Sequence, residues 1–358
     1  MEDVLYLELD AHTRSCVLSA MDSRGVVVST RSFKTSERAL RAHVTRISAR
    51  SRYLALEEST ISGWIAGVLR AHVDRLVVCD PKHNALISQG NKDDFSDAVN
   101  LCQLLRLDAL VEVYHSDQED RVDFKIAVQQ YLHFRNAHAR IKTKIKFKYQ
   151  QAGIIPTGDR VFSKVDRSEY LAQLPTEARR KILCNLYDQL DALGLLRQTA
   201  RGLMEELGSS YPEIIQFQQM PGIGIVGAHL FSGLIQTPHR FRTRQQLWRY
   251  CRLGVVERSS AGKPLSYKRL DRSGSGVLKA VSHQCWKAAL STKTTNEVRL
   301  YYEASLKRTG NPTHARLNTQ RKALAVLWTI WKNDVAYNAA LFYRSPAHAV
   351  DAQALGNP

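Results

Sequence analysis

A chain of 358 residues with 44% hydrophobic content can bury two ordinary cores, so at least two domains are expected. Lysine and arginine number 51 against 34 acidic residues, a formal charge of +17, and so basic a balance calls for a polyanionic partner because phosphate neutralisation releases counterions. No apolar run approaches the roughly 20 residues needed to span a bilayer, and the six cysteines lack the spacing of a zinc site. A cytoplasmic protein with reduced core cysteines and no membrane association is expected.

Residues 4–10 alternate Leu5, Leu7 and Leu9 on one face, a strand signature that ends at Asp10. Cys16–Met21, a turn at Asp22 to Gly25, and Val26–Thr30 extend this to a three-stranded antiparallel meander. Leu40, His43, Val44 and Ile47 then recur at helical spacing, and Tyr53 to Leu56 form a short strand ending at Glu57 and Glu58. Ser59 or Thr60 is placed to cap a helix over 61–72. Leu76–Cys79 is a further strand closed by Asp80, a helix from about Asp93 to Arg106 follows, and Leu110–Tyr114 reads as a final strand. The order β-β-β-α-β-α-β, with an added helix, is that of an α/β RNase H-like domain with a mixed sheet flanked by helices.

Residues 117–150 contain neither glycine nor proline and become strongly basic, with Arg135, Arg140, Lys142, Lys144, Lys146 and Lys148. They read as one long helix, and 176–207 read as a second. In the second, Ile182, Leu186, Leu193, Leu196, Ala200, Leu203 and Leu207 keep a 4-3 spacing broken by Gln189, which indicates an antiparallel hairpin or an intermolecular coiled coil. The lysines are candidate contacts to a nucleic-acid backbone, the alternative being a solvated helix face. From Tyr211 a mainly α domain begins. Gln219 to Ala228, with Pro221-Gly222-Ile223-Gly224, has a helix-hairpin-helix pattern in which glycines let a backbone approach phosphate. The expected domains are 1–120, the long helices 121–210, 211–345, and a tail 346–358.

Several carboxylates stand where two divalent ions would need oxygen ligands from different elements. Asp10 ends the first strand, Glu58 the fourth, and Asp94 and Asp97 lie three apart on a helix; Glu57, Asp80 and Asp93 are adjacent competitors. Leu9-Asp10-Ala11-His12, Glu58-Ser59-Thr60 and Asn91 to Ala98 together resemble the three motifs of the DEDD-type insertion-sequence transposases, the bridge-RNA-guided serine recombinases. The third motif of that family usually carries threonine where this chain has Asp93. Arg249 to Lys263 and Lys268 to Gly274 resemble the same family's C-terminal domain, whose nucleophilic serine is normally followed by glycine. Here the run is Ser259-Ser260-Ala261-Gly262, and Ser260 is taken as the nucleophile with Ser259 as runner-up.

The resemblance implies metal-ligand roles for Asp10, Glu58, Asp94 and Asp97, with Mg²⁺ as the ion. It implies a homo-oligomeric bacterial recombinase that cuts and rejoins donor and target DNA through a phosphoserine link, guided by a structured non-coding RNA. Gly222, Gly224, Lys263, Lys268 and Arg269 join the four lysines as candidate nucleic-acid contacts. The rival readings are a metal-dependent junction nuclease without serine chemistry and an inactive nucleic-acid-binding remnant.

Overall fold

The structure is a computed structural model that describes residues 2–80, 94–256, 259–260, 263–264 and 269–343; the side chains of 2–3, 94–97, 259–260 and 263–264 lie outside that description. The chain divides into two compact units, 1–117 and 118–358.

The first unit is built on a five-stranded sheet in the order β3-β2-β1-β4-β5. Strands β1 (Glu2–Ala11), β2 (Ser15–Met21) and β3 (Val27–Lys34) form the expected antiparallel meander. Strands β4 (Ala49–Glu57) and β5 (Arg75–Cys79) continue the sheet parallel to β1. Because strand side chains alternate, Leu5, Leu7 and Leu9 share one face with Leu54, Leu56 and Val78. Helices α1 (Glu37–Thr45) and α2 (Ser62–Leu69) cover that face through Leu40, Val44, Ile65 and Leu69. Each fully buried leucine contributes about 1.5–3 kcal/mol. The opposite face is covered by α3 (Asp94–Arg106), where Leu105 packs with Ala55, Val77, Tyr6 and Tyr53.

Two local expectations change. Helix α2 has no side-chain cap from Ser59 or Thr60; instead Ser62 Oγ accepts from the Ser59 N–H and donates to the Ser59 carbonyl. The stretch 110–114 forms a single antiparallel bridge, Cys79 to Glu112, flanked by Val113 N–H to Val78 O at 2.7 Å and Asp80 N–H to Val111 O at 3.1 Å. With one bridge of pairing it closes the sheet edge without adding a strand.

The second unit is mainly helical. The long helices α4 (Glu119–Gln150) and α6 (Glu177–Gly208), separated by the short α5 (Arg167–Ala172), pack antiparallel: the Tyr149 and Tyr187 hydroxyls are 3.0 Å apart, and Gly194 faces His138. The contact face of α6 is Leu183, Tyr187, Leu190, Ala200 and Met204, while Ile182, Leu196 and Leu203 are exposed. Beyond them come α7 (Pro212–Gln218), α8 (Ile225–Ile235), α9 (Arg244–Tyr250), α10 (Gly276–Ser291), α11 (Glu297–Thr309) and α12 (Pro312–Asn333). Their core, around Phe217, Phe231, Leu247, Leu278 and Leu324, also takes in Phe124 and Val128 of α4. Five cysteines are buried and Cys184 is exposed, and none of the six forms a disulfide. Among the described residues no helix is long and apolar enough to cross a membrane.

Candidate active site

Parallel pairing of β1, β4 and β5 brings their carboxyl-terminal ends side by side, and each end carries acid. Leu9 pairs with Leu56, and Glu57 with Cys79, so Asp10, Glu57 with Glu58, and Asp80 follow one another along the sheet edge. Asp10 and Glu57 keep the parity of Tyr6 and Ala55, which face α3. Glu58 follows at the exposed strand end, where its N–H still donates to the Cys79 carbonyl at 2.9 Å. His12 Nε2 lies 3.3 Å from Asp10 Oδ2, on a carboxylate whose side chain is 35% exposed.

The fourth contributor is the start of α3. Cys102 Sγ sits 3.5 Å from the Tyr6 carbonyl, and Arg106, at the other end of the helix, donates toward the Ser23 carbonyl in the β2–β3 turn. The helix therefore runs antiparallel to β1. From the Cys102–Tyr6 contact, Asp94 is eight residues back along the helix, about 12 Å at 1.5 Å per residue. Asp10 is four residues on along the strand, about 13 Å. The first turn of α3, holding Asp94 and Asp97, thus reaches the level of Asp10. Their side chains lie outside the described residues, as does Asp93. Among the described residues no group of three or more His, Cys, Asp or Glu side chains is poised to hold a metal ion.

In the second unit the two serines lie on a narrow β ribbon. Val255 and Val256 (β6) pair antiparallel with Leu270 and Arg269 (β9), and further out Ser259 and Ser260 (β7) pair with Pro264 and Lys263 (β8). In register, Ser260 stands opposite Lys263, with Ala261 and Gly262 between them. Lys268 lies outside the described residues; Arg269 is exposed.

The base of this ribbon is tightly held. The Trp248 carbonyl accepts from the Leu253 and Gly254 N–H groups, and the Gly254 carbonyl accepts from Asp271 N–H at 2.8 Å. Asp271 accepts from the Ser273 N–H at 2.9 Å and from Arg249 Nε at 2.9 Å. Those bonds, Ser273 first, hold the Asp271 carboxyl below the usual carboxylate range despite some desolvation. Arg252 Nε donates to the Gly274 carbonyl, and Arg321 Nε to the Leu253 carbonyl.

The turn at 219–224 joins α7 to α8. Gly222 has φ +87°, and a Cβ there would lie 2.2 Å from the Cys285 carbonyl oxygen of α10. Packing alone therefore demands this glycine. Gly224 differs: it caps α8 without a side-chain bond, and a Cβ there would meet open space. The four lysines of α4 also divide. Lys142 and Lys146 lie over the Phe162 ring at 4.5 and 5.3 Å, and Lys142 pairs with Asp159 at 3.7 Å. Lys144 and Lys148 are exposed, the latter donating to Gln151.

One group of cations escaped the sequence reading. Arg244, Arg308, Arg321 and Lys322 line a single cavity from α9, α11 and α12. They come from three helices and share them with core residues, so no local pattern marks them.

Comparison with known families places both halves together. A model described as a transposase, of the DEDD type found in IS110, matches residues 9–151, the stretch that holds Asp10, Glu58, Asp94 and Asp97. A model described as the transposase IS116/IS110/IS902 family matches residues 216–303, which hold Gly222, Gly224 and Ser260. No curated protein matches the chain. The two models describe parts of one kind of enzyme, occur in a single order along the chain, and together span well over half of it. The chain belongs to the IS110-type insertion-sequence transposases, enzymes that act on DNA by strand cleavage and transfer.

Proposed function

We propose that the protein is a metal-dependent serine recombinase that moves its insertion sequence with a structured RNA as guide. The observation that carries this reading is the meeting of acids at one sheet edge: Asp10 and Glu58 on adjacent strand ends, with the first turn of α3 returning to the same level. All the candidate ligands are hard carboxylate oxygens, and that donor set fits Mg²⁺ better than a softer ion. Asp10, Glu58, Asp94 and Asp97 are assigned to hold it. Bound there, the ion supplies positive charge to the phosphate oxygens as negative charge develops on them.

The chemistry assigned to the chain itself is a two-step exchange. Ser260 Oγ attacks the phosphorus, a phosphoserine bond forms, and the P–O bond to one sugar oxygen breaks. The serine proton passes to a carboxylate, and the departing sugar oxygen takes up a proton. A hydroxyl of the partner strand then attacks the same phosphorus and releases the serine, so the number of phosphodiester bonds is conserved. Opposite Ser260 in register, Lys263 is a candidate phosphate contact, as is Arg269 on β9; Lys268, outside the described residues, is retained as a candidate from the sequence. The α8 N-terminus behind Gly224 offers main-chain N–H groups of the helix-hairpin-helix kind. Homo-oligomer formation is supported by the exposed Ile182, Leu196 and Leu203, which repeat at heptad spacing on α6.

The test is strand transfer by purified protein with donor DNA, target DNA and the RNA that co-purifies with it. Asp10→Asn and Asp94→Asn each abolish transfer at saturating Mg²⁺ while leaving the circular dichroism spectrum unchanged. Normal transfer by either variant removes that residue from the site.

A further inference from the structure

We infer that the outward face of α10 is a docking stripe for the phosphate backbone of a nucleic-acid duplex, leading away from the foot of the serine ribbon. The inference rests on the chain acting on nucleic acid and is independent of the serine and metal chemistry. Helix α10 follows β9 directly, through residues 271–275. One face of the helix is core, where Leu278, Val281, Cys285 and Ala289 are buried. The face turned away repeats Gly276, Lys279, His283 and Lys287 at intervals of three and four residues, which on a helix is a single line. At 1.5 Å per residue that line is about 16 Å long, and its last three positions stand about 6 Å apart. Successive phosphates of one strand have a spacing of the same order.

Four cations border the line, and two of them, Lys279 and Lys287, belong to it. The Arg252 guanidinium lies over its head, since a Cβ on Gly276 would stand 3.0 Å from Arg252 Nη1. Arg252 has φ +55°, a left-handed position after a helix that glycine ordinarily takes, and keeping arginine there carries a backbone cost. Its Nε donates to the Gly274 carbonyl at 2.8 Å, which fixes the side chain at the start of α10. Arg316 comes across from α12 beside Trp286, whose ring centroid is 5.9 Å away. Among the described residues none of the four makes an ion pair. The acid that precedes α10, Asp271, is engaged by Arg249. A row of cations without lining acid is the electrostatic footprint of a polyanion.

Between the two lysines, His283 is held in one orientation. Gln320 of α12, itself buried, donates from Nε2 to His283 Nδ1 at 3.0 Å, so the ring carries its proton on Nε2. Burial first, then the Arg316 and Lys287 charges, press the imidazole below its ordinary value, and the charges acting on it are cations alone. The ring therefore stands neutral at pH 7 and offers a phosphate oxygen a hydrogen bond from Nε2.

A duplex fits this row better than an unpaired strand. Unpaired bases are held by stacking on aromatic faces, and the indole beside the row is already taken. Trp286 packs with His283 at 5.3 Å and Tyr302 at 5.6 Å between ring centroids, with Arg316 over it. A duplex keeps its bases stacked on each other and presents phosphates at fixed spacing to a rigid helix. Contacts of this kind set position and carry no base sequence.

The experiment is lysine footprinting of the full-length wild-type protein in EDTA, so that binding is read without cleavage and apart from the serine and metal chemistry. The protein is acetylated alone, with a DNA duplex, with an RNA duplex of the same length, and with one unpaired strand. Modification at each lysine is read by mass spectrometry. Lys279 and Lys287 are expected to lose reactivity several-fold with a duplex, while Lys164 and Lys181, which pair with Asp191 and Glu177, keep theirs. The duplex that protects at the lower concentration identifies the source as DNA or RNA. With that duplex, Lys279→Gln with Lys287→Gln reduces the slope of log affinity against log salt by about 2, whereas Lys164→Gln with Lys181→Gln, an equal loss of charge, leaves it near wild type. Full reactivity of Lys279 and Lys287 at saturating duplex, equal protection by the unpaired strand, or the same slope in both double variants overturns the proposal.

Discussion

Replacing Gly222 by alanine separates packing from phosphate binding in the 219–224 turn. The new Cβ would meet the Cys285 carbonyl oxygen at 2.2 Å, its carbon at 2.9 Å and the Ala289 nitrogen at 3.2 Å. All three atoms are backbone of α10, so the helix or the turn must shift by about 1 Å to reach ordinary contact near 3.4 Å. Holding alanine at φ +87° costs about 1 kcal/mol more than holding glycine. Overpacking against a fixed helix adds about 1–3 kcal/mol. The sum, about 2–4 kcal/mol, lowers the melting temperature of a unit this size by about 5–15 °C. Gly224→Ala is the control, because its Cβ enters open space and losing glycine at a helix N-cap costs about 1 kcal/mol or less. Circular dichroism melts are read beside DNA binding at a temperature where all variants are folded. Gly222→Ala melts early and binds normally once folded, whereas Gly224→Ala melts within a few degrees of wild type and binds several-fold more weakly. A Gly222→Ala protein that melts like wild type but fails to bind DNA refutes the packing argument.

The α4 lysines give a second outcome: Lys144→Gln with Lys148→Gln reduces the slope of log affinity against log salt by about 2, and Lys142→Gln with Lys146→Gln leaves it near wild type because those ammonium groups are engaged over Phe162. A fluorescence titration of a DNA duplex across salt concentrations decides between them. Asp271 gives a third, since its carboxyl is held below the ordinary value near 3.9. The ionised form is favoured in the folded protein, so its contribution is complete above that ordinary value and is lost as the pH falls through the folded one. Hydrogen exchange corrected for intrinsic rate in peptides covering 253–256 and 269–275 rises below about pH 4 in wild type, and in Asp271→Asn it is high and flat across the range.

Much of the first unit was legible in the sequence because alternation on its strands is simple. Leu5, Leu7 and Leu9 against Tyr6 and Glu8 fix two faces, and the parallel pairing of β1 with β4 follows from the intervening helix. The stretch 110–114 was not legible as an edge, since a strand pattern cannot say how many partner bonds are available and only Cys79 to Glu112 is bridged. On α6 the leucine count drew attention to Ile182, Leu196 and Leu203, but Tyr187 and Met204, less regular in type, fill the contact with α4. The carboxylate edge was visible because each acid ends a strand or begins a helix. The ribbon's anchor was half visible: Arg249 and Asp271 lie 22 residues apart, and only pairing of Val255 with Leu270 brings them together. Gly222 shows the opposite limit, because its motif suggested phosphate while the atom that requires it belongs to α10, more than sixty residues away.

A covalent bond between Ser260 and DNA is read on a denaturing gel of protein incubated with labelled donor DNA, RNA and Mg²⁺. A DNA-shifted protein band is expected in wild type and in Ser259→Ala, and none in Ser260→Ala, in Asp10→Asn or in EDTA. A band retained in Ser260→Ala and lost in Ser259→Ala moves the nucleophile one residue, and strand cleavage without any adduct under trapping conditions contradicts the serine mechanism in favour of hydrolysis by the carboxylate site alone.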